Sequence, residues 1–167
     1  APVLGQSFGD VARAELDAGW RETDGTHIAG LTIRLAPGWK TYWRAPGDAG
    51  IPPAFDWSGS ENIASVDVQF PVPAVFDQNG MQSIGYADEV TFPLRIRTVE
   101  AETAIGLKGE IEIGVCEEVC IPVTLHLQAL LPADGTPSSN LNAALNDNPD
   151  AGGSMDCEIT PISDGLR

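Results

Sequence analysis

The chain has 167 residues, 43% of them hydrophobic and 20% charged, which is enough apolar material for the core of one globular domain. Its formal net charge is −15 and its only lysines are Lys40 and Lys108, so nucleic acid and other polyanions would be repelled. No run of about 18 apolar residues occurs, which excludes a transmembrane helix within this sequence. No phosphate-binding glycine loop with its lysine is present, and no cofactor is expected.

The chain up to residue 131 predicts a series of short β-strands. A strand from Val11 to Arg21, the Asp24-Gly25 pair and the alternating segment "HIAGLTIRLA" (27 to 36) together form a pattern typical of a β-hairpin. The segment "PGDAGIPP" (46 to 53) predicts a loop. Further strands are expected at 39 to 45, 54 to 57, 62 to 70, 90 to 99, 103 to 115 and 121 to 131. This pattern predicts an all-β fold, an immunoglobulin-like antiparallel β-sandwich, with a small barrel or jelly roll as the alternative.

A change in composition near residue 133 predicts that this domain covers residues 1–133. Residues 134–153 are small and polar and predict a linker, with one short helix candidate at Leu141 to Asn146. Residues 154–167 carry a strand pattern around an Asp-Gly turn, so we expect a second β domain that begins here and is cut short. The chain begins at Ala1 without an initiator methionine, so we expect a secretory signal to have been removed, although a cloned fragment would begin in the same way.

The segment "GVCEEVCIP" (114 to 122) holds two of the three cysteines, four positions apart. Alternating apolar residues lead up to Cys116 and resume after Cys120, so the pair is expected at the tip of a hairpin whose turn is "EEV". Cysteines that flank so short a turn can approach the Cα separation of roughly 5.5 Å that a disulfide favours.

Three functions remain open for this pair: a structural staple, a metal site and a disulfide that is opened and closed in redox chemistry. As a structural staple it would contribute about 2 kcal/mol for a loop of roughly five residues, against about 4.7 for one of 100, which favours a redox function. A zinc site needs four ligands, and His27, His126 and the distant Cys157 are the obvious donors that remain, with His27 expected to be exposed and His126 to lie on a polar strand face. Copper(I) needs fewer ligands, because two thiolates and one further soft or imidazole donor can suffice.

The two residues that follow Cys116 bear on redox chemistry. Glu117 and Glu118 place negative charge beside both sulfurs and disfavour the thiolate form, so the cysteine pKa values should lie above the reference of about 8.5. Such a pair would react slowly with random oxidants, and efficiently only when a docked partner shields the charges.

From about residue 10 to 131 the sequence resembles the periplasmic N-terminal domain of DsbD-type thiol:disulfide reductases, especially the ScsB-like branch. The matching motifs are "LAPGWKTYWRAPGDAGIPP", "YADEVTFPL" and above all "GVCEEVCIP". The best-known members have five residues between the cysteines, where this chain has three.

The resemblance implies an immunoglobulin-like domain with a reversible disulfide, in which Cys120 forms mixed disulfides with partners and Cys116 is the resolving thiol. It also implies a periplasmic location. Electrons would come from a thioredoxin-like domain that is fed through a membrane electron-transfer domain. The recipients would be periplasmic disulfide isomerases or cytochrome-maturation proteins. The alternative function is a copper(I)-binding module.

The resemblance further implies a lid over the disulfide. In the family a cap loop with an aromatic residue covers it, and the corresponding stretch here is "FDQNGMQSIGY" (76 to 86), which places Phe76, Met81 and Tyr86 among the candidates. Methionine is adaptable enough to serve as such a lid. Tyr42 is the residue of "WKTYWRA" expected to reach the disulfide, although core packing is the simpler role for an aromatic residue in a strand.

Overall fold

The computed structural model describes residues 4–5, 7–8, 11–47, 50–78, 80–149, 161–162 and 165–166. Within these residues the chain forms short and long β-strands and a single α-helix. The strands are β1 (Leu4–Gly5), β2 (Ser7–Phe8), β3 (Ala12–Arg21), β4 (Thr26–Leu35), β5 (Lys40–Gly47), β6 (Ala54–Asp56), β7 (Ile63–Val68), β8 (Ala74–Gln78), β9 (Met81–Ala87), β10 (Glu89–Thr98), β11 (Ile105–Cys116), β12 (Cys120–Leu131), β13 (Pro161–Ile162) and β14 (Gly165–Leu166), and the helix is α1 (Ser139–Asn146).

Most of the strands form two antiparallel sheets that pack face to face. In sheet I the strand order is β1-β12-β11-β5-β9-β8, and β6 also pairs with β11. In sheet II the order is β2-β3-β4-β10-β7. The short strands β13 and β14 pair with each other. The all-β, immunoglobulin-like sandwich that the sequence predicts is confirmed.

The core lies between the sheets because alternate residues of each strand point inward. Along β11, Ile111, Ile113 and Val115 are buried, whereas Glu110 and Glu112 are exposed. The fully buried side chains from the other core strands include Leu31, Ile33, Phe92, Leu94, Leu125 and Leu127. Full burial of one such side chain stabilises the fold by roughly 1.5–3 kcal/mol, so a shift of β11 by one residue would be costly. The core therefore decides which β11 residues face outward.

The β3–β4 hairpin predicted from Asp24-Gly25 is present. Gly25 has a positive φ of 92°, which a residue without a Cβ adopts readily. The Thr26 amide donates to Asp24 Oδ1 at 2.9 Å, and the Glu22 amide donates to the Thr26 carbonyl at 2.8 Å. The turn is thus fixed largely by its own local hydrogen bonds.

The segment 76 to 86, which the sequence suggested as a cap loop, lies instead within the β8–β9 hairpin. Val75 pairs with Ile84 and Phe76 with Ser83. The inner strand of the hairpin, β9, also pairs with β5. Alternation is weak here because small and polar residues occupy much of β9, so its strand state depends on a neighbour that is distant in sequence.

The expectation that His27 is exposed is wrong, because its side chain is fully buried. The register of β3 with β4 shifts between Asp17 and Trp20, and at this irregularity His27 Nε2 donates to the Ala18 carbonyl at 2.6 Å. His27 Nδ1 accepts from Arg21 Nε at 3.1 Å. Burial, and then the charge of Arg21, lower the pKa of His27, so the neutral ring is favoured.

Helix α1, which contains the helix candidate at 141 to 146, packs on sheet II. The Ser138 hydroxyl caps it by accepting from the Leu141 amide at 3.2 Å. Leu141 is buried with Trp20 and Ile28 in a small apolar cluster. No helix among the described residues is long and apolar enough to cross a membrane.

Candidate active site

The two cysteines lie opposite each other at the tip of the β11–β12 hairpin. Cys116 ends β11 and Cys120 begins β12, and the two residues are paired in register. Their sulfurs are 2.12 Å apart and form a disulfide, with a Cα–Cα distance of 4.1 Å. The long ladder from Ile105–Leu131 to this last pair holds both cysteines in place. A rigid strand pair thus presents the bond at one end of sheet I.

The two sulfurs differ in their access to solvent. Cys116 is 3% exposed, whereas Cys120 belongs to the exposed residues, as do all three residues of the turn. A thiolate must approach a disulfide sulfur directly in order to attack it. Cys120 is therefore the more accessible of the two cysteines.

The disulfide lies on the outer face of sheet I, because the alternate residues Ile113 and Val115 point into the core. The residue paired with Cys116 on the other side is Lys40, the first residue of β5. Residues that are directly opposite in an antiparallel pair share a face, so Lys40 also points outward. Tyr42, two positions further along β5, belongs to the same face.

Tyr42 contacts the exposed sulfur. Its hydroxyl lies 3.6 Å from Cys120 Sγ, and because a disulfide sulfur carries no proton, the tyrosine is the donor. The ring is buried, with 3% of the residue exposed. Thr41 Oγ1 donates to the Gly114 carbonyl at 2.9 Å and holds β5 against β11 beside the site. Burial raises the pKa of Tyr42, so its hydroxyl keeps its proton at neutral pH.

The 50–51 segment covers the outer face beside the disulfide. A Cβ added to Gly114 would lie 2.9 Å from Ile51 Cβ, and one added to Gly50 would lie 2.9 Å from Tyr42 Cδ1. Both glycines therefore allow a close approach that any side chain would block. This cover was not predicted from the sequence. Its signal was the pair of glycines, one in the loop "PGDAGIPP" and one before Cys116.

The residues proposed as a lid are not brought together at the disulfide. Tyr86 points into the core, where its ring packs edge-on against Phe92 and its hydroxyl donates to the Pro71 carbonyl at 2.8 Å. Met81 is six residues along β9 from Ala87, the partner of Lys40, which is roughly 20 Å of extended strand. Phe76 lies closer, because Lys40 Nζ is 4.6 Å from the centre of its ring.

Charges of both signs surround the disulfide. Glu117 and Glu118 are exposed in the turn, and the Glu117 carboxylate lies near Gly38, where an added Cβ would be 3.1 Å from Oε1. The positive charge is that of Lys40, a residue not predicted from the sequence to belong to the site. Only the pairing of β5 with β11 places this lysine beside Cys116.

A metal centre has little support in this geometry. Within the part of the chain that the structure describes, no group of three or more His, Cys, Asp or Glu side chains could hold an ion. His126 is exposed as expected and pairs with Glu110, six residues along β12 from Cys120. Cys157 lies outside the described residues.

The family model for the N-terminal domain of the thiol:disulfide interchange protein DsbD matches residues 10–132. The chain belongs to this family. A solved structure, the N-terminal periplasmic domain of ScsB from Proteus mirabilis, is similar at 29% sequence identity with a TM-score of 0.69. The similarity covers 89% of this chain and 60% of that structure, so the chain spans less than two thirds of the ScsB domain. No curated protein matches the sequence.

Membership in the DsbD N-terminal family gives the disulfide its general function. The family is one of thiol:disulfide interchange domains, and the Cys116–Cys120 bond lies within the matched residues. The chain is thus a DsbD/ScsB-type N-terminal domain of a thiol:disulfide interchange family.

Proposed function

We propose that this chain is a periplasmic electron relay that passes reducing equivalents from a thioredoxin-like module to periplasmic proteins through the Cys116–Cys120 disulfide. The observation that carries the proposal is the difference in access between the two sulfurs. Cys120 is exposed and able to form mixed disulfides, whereas Cys116 is buried directly behind it and able to resolve them.

Reduction of the domain takes two exchange steps. A thiolate of the reduced thioredoxin-like partner attacks Cys120 Sγ, so that a partner–Cys120 disulfide forms and the Cys116–Cys120 bond breaks. Cys116 leaves with the electron pair and takes up a proton. The second thiol of the partner then loses its proton and attacks the partner sulfur of the mixed disulfide. The partner becomes oxidised, and Cys120 leaves as a thiolate.

Delivery of the electrons reverses these steps on a second protein. The Cys120 thiolate attacks the disulfide of the recipient, and the recipient's other sulfur leaves as a thiolate. Cys116 then loses its proton and attacks Cys120 Sγ, which restores the intramolecular bond and releases the reduced recipient. The domain thus takes up two electrons in the first half of the cycle and gives up two in the second, and it returns to its oxidised form.

The resemblance to the DsbD and ScsB domains supports the choice of compartment and partners. The source of electrons is a thioredoxin-like domain fed by a membrane electron-transfer domain, and the recipients are periplasmic disulfide isomerases or cytochrome-maturation proteins. The net charge of −15 favours partners with a basic or neutral docking face. Glu117 and Glu118 act as a brake by raising the cysteine pKa values until a partner docks.

Copper(I) binding by the two thiolates is the weaker alternative. Two thiolates need a further donor for a stable site, and the nearest described histidine in the hairpin, His126, is six residues from Cys120 along β12. The geometry supports exchange over metal storage.

A trapping experiment tests the relay. The probe is a thioredoxin whose resolving cysteine is replaced by serine and whose attacking cysteine is activated as a mixed disulfide with 5-thio-2-nitrobenzoate. In a Cys157→Ser background, Cys116→Ser leaves Cys120 as the sole thiol, and we expect rapid formation of a covalent complex. Cys120→Ser leaves the buried Cys116 and should react at least about tenfold more slowly, because access limits exchange.

Two outcomes would contradict the proposal. Equal trapping rates for the two variants would remove the distinction between the attacked and the resolving sulfur. A reduction potential below about −300 mV for the intact disulfide would mark an inert structural bridge.

A further inference from the structure

We propose that the Tyr42 hydroxyl is the hydrogen-bond donor that stabilises the Cys120 thiolate during exchange, which makes Tyr42 a catalytic residue. The inference deepens the proposed relay and rests on it, because a thiolate forms at Cys120 only if the disulfide is opened. It assigns chemistry to a residue for which aromatic packing would otherwise be a sufficient role.

The position of Tyr42 supports this assignment. Its hydroxyl reaches across from β5 to the first residue of β12, 3.6 Å from Cys120 Sγ. Gly114 lies between the two strands on the same outer face and has no side chain to obstruct the contact. Gly50 packs against the ring, since an added Cβ would come within 2.9 Å of Tyr42 Cδ1. The hydroxyl is thus aimed at one sulfur by its surroundings.

The state of the hydroxyl also fits a donor. Because burial raises the pKa of Tyr42, the hydroxyl remains protonated over the pH range in which a cysteine thiolate forms. A hydrogen bond to an ionised acceptor is stronger than one to a neutral acceptor, so the contact should tighten when the sulfur becomes a thiolate. The charged side chains on the strands and the turn around this contact are Lys40, Arg44, Glu112, Glu117 and Glu118.

The hydrogen bond would act at two points of the cycle. In the reduction of the domain, Cys120 leaves the mixed disulfide as a thiolate, and the Tyr42 hydroxyl stabilises this leaving group. In delivery, the same donor keeps a larger fraction of Cys120 ionised as the nucleophile. The donor does not transfer its proton, so no additional acid or base is needed. The hydrogen bond also opposes the pKa-raising effect of the turn carboxylates, but only at Cys120.

The test compares Tyr42→Phe with the parent protein in a Cys116→Ser/Cys157→Ser background, where Cys120 is the sole thiol. The pH dependence of the rate of Cys120 alkylation by iodoacetamide, followed by mass spectrometry, reports the Cys120 pKa without any partner. We expect Tyr42→Phe to raise this pKa by about one unit, which is about tenfold less thiolate below the pKa. An unchanged pKa would overturn the inference.

Tyr86→Phe is the matched control, because Tyr42 and Tyr86 are the two tyrosines of the chain. Tyr86 also donates from a buried hydroxyl, but on the core face and to the Pro71 carbonyl. This variant should lose stability while the Cys120 pKa stays constant. An equal pKa rise in both variants would mean that the effect comes from loosened packing, and would also overturn the inference.

Replacement of Tyr42 by 3-fluorotyrosine, by global incorporation in a Tyr86→Phe protein, tests the same donor without removing it. Fluorination makes the hydroxyl a stronger donor, so the Cys120 pKa should fall, whereas an unchanged or higher value would contradict the inference. Trapping by the activated thioredoxin separates the two proposals. If trapping is normal and the Cys120 pKa does not change, the Tyr42 donor is rejected and the relay is retained. If the Cys120 pKa shifts but no complex is trapped, the relay is rejected and the Tyr42 donor is retained.

Discussion

The β3–β4 and β11–β12 hairpins end in short turns, and the two tips differ in how many contacts they make with a neighbouring loop. At the β3–β4 tip the Gly25 carbonyl accepts from Thr98 Oγ1 at 2.7 Å, and Arg21 donates to the carbonyls of Ala101 and Thr103 in a neighbouring loop. At the β11–β12 tip the three turn residues and Cys120 remain exposed.

This difference shows what distinguishes a structural tip from a reactive one in the same fold. The β3–β4 tip exposes Glu22, Thr23 and Asp24, but Gly25 is buried against the 99–104 loop, and a buried histidine follows it, so this tip contributes mainly to stability. The β11–β12 tip buries one sulfur and exposes the other, which is what exchange with a partner requires. Substitutions at the first tip should therefore change folding, and those at the second should change sulfur chemistry.

The largest effect on stability is expected from Gly25→Ala at the structural tip. Gly25 has a φ of 92°, and an added Cβ would lie 2.9 Å from Ala101 Cβ, so strain and a steric clash combine. We expect a loss of about 2–3 kcal/mol in the free energy of unfolding by denaturant titration. The control is Gly80→Ala, which has a φ of 79° with no atom within 4 Å of the added Cβ and should lose only about 1 kcal/mol. Equal losses would show that the loop contact does not matter.

His27 gives the structural tip a pH dependence. Its pKa is lowered in the folded state, so below the unfolded-state pKa of about 6.5 the unfolded chain binds more protons. The contribution of His27 to the free energy of unfolding should therefore be fully present above this pH. Below it, this contribution should fall by at most about 1.4 kcal/mol per pH unit. Denaturant titrations between pH 7 and 5 give the free energy of unfolding at each pH. This free energy should fall less steeply with decreasing pH in His27→Gln than in the parent protein. His126→Gln, which replaces an exposed histidine, is the matched control.

At the reactive tip, Gly114→Ala should uncover the buried sulfur. The added Cβ would lie 2.9 Å from Ile51 Cβ and must displace the 50–51 segment, at a cost of about 1–2 kcal/mol. In the reduced protein Cys116 should then be alkylated faster by iodoacetamide, as followed by peptide mass spectrometry. The control is Gly106→Ala on the same strand, where the added Cβ is 3.4 Å from Glu61 Cβ and fits. Equal alkylation rates in the two variants would contradict the covering role of Ile51.

The smallest effect is expected from the carboxylates of the turn. In the background in which Cys120 is the sole thiol, Glu117→Gln/Glu118→Gln should lower the Cys120 pKa by about half a unit at low ionic strength, since exposed charges are screened by water and salt. Glu110→Gln/Glu112→Gln removes the same charge from exposed positions of β11 further from the sulfur and should have less effect. If the second variant shifts the pKa as much as the first, the brake is only the net charge of the protein.

Local patterns in the sequence were sufficient to predict the sandwich, the β3–β4 hairpin and the cysteine pair at a hairpin tip. Alternation follows from strand geometry, and the Asp24-Gly25 turn is held by bonds between near neighbours, so both are visible in short segments. The β8–β9 hairpin was missed because its alternation is weak and its strand β9 relies on pairing with β5.

By itself, then, the sequence determined the fold class and the presence of a close pair of cysteines that can form a bond. The resemblance pointed to Cys120 and Tyr42, but only the tertiary structure decided that Cys120 is exposed and that Tyr42 contacts it from 78 positions away. It alone placed Ile51 over Gly114. The physical reason is that exposure and side-chain contact depend on which strands become neighbours. The core decides this because burial of one face of each strand fixes the register between strands, and the register fixes which residues meet on the outer face.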